Sequence, residues 1–96
     1  MNTNFKNIIV AGVAGFMSTS VLMADNWDMP MAYSASNFHS EMGVVFADKV
    51  RDYTAGDINI TVHPGGSLFK GGEIKRAVQT GQAPIGERFM SAHVNE

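Results

Sequence analysis

The hydrophobic and polar positions of this chain follow two regimes. Ile8 to Met17 (IIVAGVAGFM) is an uninterrupted uncharged run with no polar alternation. From Trp27 onward the apolar residues recur with short periods instead. Trp27, Met29, Met31 and Tyr33 alternate with Asp28, Pro30 and Ala32, a period of two that predicts a strand, weakened at Pro30 by its missing ladder donor. Ser34 to Asn37 is polar and turn-like, and Ser36 or Asn37 can cap a following helix. Phe38, Met42, Val45, Phe46, Val50 and Tyr53 then recur at helical spacing as one apolar stripe. Asp48, Lys49, Arg51 and Asp52 occupy the other face, and Gly56 supplies a left-handed stop, so a helix is predicted over about 37–54.

Ile58, Ile60 and Val62 alternate with Asn59 and Thr61, a second strand broken by His63-Pro64-Gly65-Gly66-Ser67. Glu73 to Thr80 reads as a short helix with Ile74, Ala77 and Val78 on one side and Gly81 as its stop. Ala83 to Met90 is apolar enough for a third strand. Strands separated by helices predict an α/β unit, βαβαβ, with parallel pairing and right-handed crossovers.

Composition sharpens this picture. The 96 residues allow one small domain at most. A net charge of −2 leaves no basic surface for phosphates, which argues against nucleic acid as a partner. The absence of cysteine removes disulfides and thiol chemistry. Lys6 is the sole charged side chain before Asp25, whereas all the acids lie from Asp25 onward. A positive start, a short apolar middle and small residues near Ala24 form the layout of a secretory signal peptide over 1–24. Cleavage after Ala24 or after Ser20 fits. A membrane anchor or a buried helix would be the other uses of this run, but it is short for the hydrocarbon core and has no solvent face.

Most motifs that invite chemistry fail on spacing. The loop Gly65 to Gly72 matches neither the P-loop nor the dinucleotide fingerprint and reads as a connector. His39, His63 and His93 lack the short spacing of local metal pairs and read as surface or loop residues. Ser67, His63 and Asp57 make a triad only on paper, without a nucleophile elbow. Glu41 and Glu87 have no carboxylate neighbour in sequence for acid–base work. One geometric signal remains. If the second and third strands flank the first, a crevice opens beyond the strand ends, bordered by Ser34–His39 and Phe89–His93.

Several stretches also occur in a characteristic order: Ser36-Asn37-Phe38-His39, then Phe46-Ala47-Asp48-Lys49-Val50, then Gly56 to Pro64. Ser67-Leu68, Glu73 to Gly81 and Ile85-Gly86-Glu87 follow. In this order they resemble the N-terminal part of a TRAP (tripartite ATP-independent periplasmic) transporter substrate-binding protein of the DctP-like family. The resemblance implies a signal peptide over 1–24, and over 25–96 an incomplete first lobe of a two-lobed, periplasmic-binding-protein-like fold of type II. It implies a periplasmic receptor rather than an enzyme, without cofactor or metal, that captures an organic acid anion and delivers it to TRAP membrane permease subunits. The family's main carboxylate-binding arginine falls beyond Glu96; Arg51, Arg76 and Arg88 do not align with it. The family's ligand-facing positions map onto Tyr33, Ser34, Phe38, His39, Lys70, Phe89, Met90 and Ser91. Several positions in these ligand-facing stretches are nonpolar where some relatives carry polar or charged residues, which points to a smaller or more apolar acid over a sugar acid. A small complete secreted interaction module is the alternative.

Overall fold

The computed structural model describes residues 23–95, so the signal-peptide reading lies, apart from Met23 and Ala24, outside the described residues. Among those described, no helix is long and apolar enough to cross a membrane. Strand β1 (Asp25–Pro30) leads to helix α1 (Phe38–Tyr53), strand β2 (Ile58–His63) and a short helix α2 (Ile74–Gln79). Single 3₁₀ turns at Gly71–Glu73 and Met90–His93 precede α2 and follow the last segment.

β1 and β2 pair in parallel, from Asp25 opposite Ile58 to Pro30 opposite His63. The Asp25 N–H donates to the Asp57 carbonyl at 2.7 Å and the Met31 N–H to the His63 carbonyl at 2.9 Å. The expected third strand over Ala83–Met90 is not formed. It is reduced to one parallel bridge, Met31 to Glu87, on the other side of β1. Pro30 supplies the reason. The Glu87 N–H donates to the Pro30 carbonyl at 3.3 Å, so the edge of Pro30 that faces residue 87 is the one lacking a donor. Pro84 and Gly86, both poor strand residues, lie in the same segment. β1 is nonetheless central, with β2 on one side and the 87 bridge on the other, the order that opens a crevice at the strand ends.

Helix α1 forms close to its expected limits. The Asn37 side-chain oxygen accepts the His39 N–H at 2.9 Å, resolving the choice of cap in favour of Asn37. At its far end the left-handed region begins at Ala55 (φ 54°), one residue before Gly56 (φ 85°), and the Gly56 N–H closes back on the Arg51 carbonyl at 2.8 Å. The Thr54 hydroxyl donates to the Val50 carbonyl at 2.7 Å and accepts the Ile58 N–H at 3.1 Å, which joins the helix end to the start of β2.

The packing of α1 departs from what the apolar stripe suggests. Ser40, Gly43 and Ala47 are its buried residues, while Phe38, Met42, Val45 and Phe46 stay exposed. Gly43 sits so close to the sheet that a Cβ there would meet the Met31 sulfur. Met29 and Met31 face α1 across this contact; Pro30, on the opposite face, lies beside Gly86 and Ile74. The two helices therefore cover opposite faces of β1. The buried apolar residues are few: Met29, Met31, Ala47, Ile74, Ala77 and Ala83, with Pro30 also enclosed. α2 contributes Ile74 and Ala77, and Val78 of its expected apolar side is exposed.

Candidate functional site

The carboxyl ends of β1 and β2 are fastened together by their loops. The Gly65 N–H donates to the Tyr33 carbonyl at 2.6 Å and the Gly66 N–H to the Met31 carbonyl at 2.9 Å. Both glycines hold φ near +70°, 68° and 69°, a conformation that side chains disfavour, which is why the loop after β2 is written Gly-Gly. The Tyr33 carbonyl also accepts the buried Ser40 hydroxyl at 2.7 Å. One carbonyl thus ties the first loop, the second loop and the first turn of α1.

That arrangement presents His39 to the ends of the strands. Its ring lies 4.7 Å from the Tyr33 ring and 4.4 Å from Phe38, and Phe89 meets it edge-on at 5.2 Å. His39 Nδ1 is 2.9 Å from Glu87 Oε2. A carboxylate only accepts, so Nδ1 is the donor and Nε2 is left to face other groups, as acceptor on a neutral ring or donor on a charged one. The side chain of His39 is 17% exposed, in the first turn of a helix, which corrects the reading of it as a surface or loop residue. Glu87 Oε1 is buried and has no hydrogen-bond partner.

Beside this pair runs an open groove of about 300 Å³ whose walls include Met29, Met42, Phe46 and Ile85, with His39 and Glu87 as its polar members. On the other side Arg88 Nε donates to the Gly71 carbonyl at 3.0 Å, fixing the chain just after Glu87. The arrangement offers one hydrogen-bonding carboxylate–imidazole unit among apolar surfaces, suited to holding a small ring or chain with few polar atoms.

Tyr33, Phe38 and Phe89 thus gather around the His39 imidazole, which brings four of the sequence-derived positions together. The other four sequence-derived positions do not join them. Ser34 is exposed, its hydroxyl 3.4 Å from that of Ser36. Lys70 is exposed at the start of a 3₁₀ turn, its N–H donating to Glu73 Oε1 at 3.1 Å. Met90 and Ser91 are exposed in the last 3₁₀ turn. Glu87 carries no pairing signal in the sequence, because its partner is a histidine 48 residues away and not a carboxylate nearby. The paper triad dissolves: His63 Nε2 pairs with Asp28 Oδ1 at 2.8 Å and the Ser67 hydroxyl donates to the Pro64 carbonyl. Among the described residues no cluster of three or more His, Asp or Glu side chains could hold a metal.

No protein-family model and no curated protein matches the chain. Solved structures do. A TRAP solute-binding protein from a marine metagenome, solved with co-purified pyroglutamate, is 78% identical over 76% of this chain, with a TM-score of 0.73. DctP6 and DctP7 of Bordetella pertussis, extracytoplasmic solute receptors that bind pyroglutamic acid, are 46% and 38% identical over 73% and 72% of the chain, with TM-scores of 0.70 and 0.69. The chain spans about a quarter of the length of each: 24%, 23% and 23%. The small α/β unit, its parallel strand pair and this likeness agree, and the chain belongs to the DctP-like family of TRAP solute-binding proteins.

Proposed function

We propose that residues 25–96 form the N-terminal part of the first lobe of a periplasmic receptor, exported by a signal peptide over 1–24. The receptor captures a small organic acid anion, of the pyroglutamate class, and delivers it to TRAP membrane permease subunits. It binds and releases; it does not transform its ligand. The observation that carries this reading is the identity of 78%, 46% and 38% to three receptors for one lactam acid. The apolar groove and the single His39–Glu87 pair support it, since a five-membered lactam carries few polar atoms. The ligand-facing roles of Tyr33, Ser34, Phe38, His39, Lys70, Phe89, Met90 and Ser91 belong to the same proposal.

The test is a grafted receptor, in which this chain's residues replace the matching stretch of the marine receptor. Calorimetric titration with pyroglutamate is expected to give a dissociation constant near or below about 1 μM, roughly −8 kcal/mol. Absence of binding to pyroglutamate, succinate and lactate alike would overturn the reading. Uptake into vesicles holding a TRAP permease pair, with and without the grafted receptor, tests delivery.

A further inference from the structure

We propose that the open groove between helix α2 and residues 86–93 is the surface through which the receptor docks on its membrane permease, and that the permease meets it with an acidic segment carrying an apolar side chain. This rests on the delivery step proposed above and names the face that performs it. The groove encloses about 400 Å³, with Ile74, Val78 and Met90 as its apolar part and Lys75 and Arg88 as its charges. No carboxylate lines it. Val78 is 39% and Met90 82% exposed, and Lys75 is exposed beside them.

The charges of the chain are sorted along the sequence. Residues 25–66 hold six acids against two bases, whereas residues 67–95 hold four bases against two acids. Both of those acids are engaged away from the groove. Glu73 Oε1 accepts the Lys70 N–H at 3.1 Å, and Glu87 pairs with His39 on the other side of the segment. The basic groove therefore lies on the opposite face of β1 from α1, the helix that carries Glu41, Asp48 and Asp52. A membrane protein concentrates Lys and Arg on its cytoplasmic loops, which leaves the side where a periplasmic receptor docks poor in them. A basic face meets that side without like-charge repulsion, and an acid there is steered toward Lys75 and Arg88. Side chains alternate along the last segment: Ile85 and Glu87 border the groove beside His39, Arg88 and Met90 border this one, and Gly86 reaches both. One strip of chain is thus the wall between the two grooves. A partner seated on its back touches the segment whose front borders the His39 groove.

The experiment measures pyroglutamate uptake, at sub-saturating receptor, into vesicles holding the TRAP permease pair. The double substitution Lys75→Glu, Gln79→Glu reverses the rim and leaves Arg88, which holds the Gly71 carbonyl, in place. It is expected to lower uptake by the grafted receptor about tenfold and to weaken its salt dependence. Calorimetric affinity for pyroglutamate is expected to stay within about twofold, about 0.4 kcal/mol. Lys49→Glu, on α1, is expected to leave both unchanged. Uptake insensitive to the double substitution overturns the proposal and spares the receptor function. The other occupants of the groove overturn it too, each with its own signature: a dimer that the double substitution dissolves, a loss of pyroglutamate affinity where the receptor's own chain covers the face, or equal flotation with vesicles that lack the permease. A receptor that drives no uptake at all sinks this inference together with the delivery step.

Discussion

One sector of helix α1 carries Ser40, Gly43 and Ala47 and is buried against the sheet; the neighbouring sector carries Phe38, Met42, Val45 and Phe46 and is 41–65% exposed. Hydrophobicity alone would orient the helix the other way round. Distance decides instead. The small residues let the helix backbone approach the sheet until the thioether of Met31, which is 0% exposed, fills the place of a side chain at Gly43. The strand supplies the bulk and the helix supplies the hollow. The large stripe left outside borders the groove through Phe38, Met42 and Phe46.

Four substitutions break or sharpen this contrast, the first three in the grafted receptor by chemical denaturation. Met31→Ala empties the contact from the strand side and is expected to cost about 2–5 kcal/mol. Gly43→Val fills the hollow from the helix side, forcing Met31 aside, and is expected to cost about 1–3 kcal/mol. Asn37→Ala removes the cap that accepts the His39 N–H and is expected to cost about 1 kcal/mol, without touching either sector. Phe46→Ser lies on the exposed sector. In the 96-residue chain it is expected to shift stability by no more than about 0.5 kcal/mol while raising the concentration at which light scattering appears. A large loss there would mean that the stripe is already packed.

The sequence was a good guide to the elements that local rules determine. The period of Ile58, Ile60 and Val62 marks β2, the Asn37 cap and helical spacing mark α1, and Gly81, at φ 79°, ends the short helix. The parallel pairing followed from the helix between the strands. Two things were not legible. The first is which sector of α1 faces inward, because small residues at positions 40, 43 and 47 carry little hydrophobic signal and their meaning depends on Met31 opposite. The second is the fate of Ala83–Met90, whose apolar character suggested a strand although Pro30, far away in sequence, lacks the donor that a full ladder on that edge needs. In the site, Tyr33, Phe38, His39 and Phe89 were reachable through resemblance and the crevice argument. Glu87 was not, since its pairing with His39 exists only once residue 87 bridges Met31.

The account is tested most directly by the crystal structure of the grafted receptor with pyroglutamate bound. It predicts the ligand seated against His39 and Phe89, with heavy atoms within about 4 Å of both rings. A ligand bound with no atom touching residues 33–39 or 87–91 would contradict it.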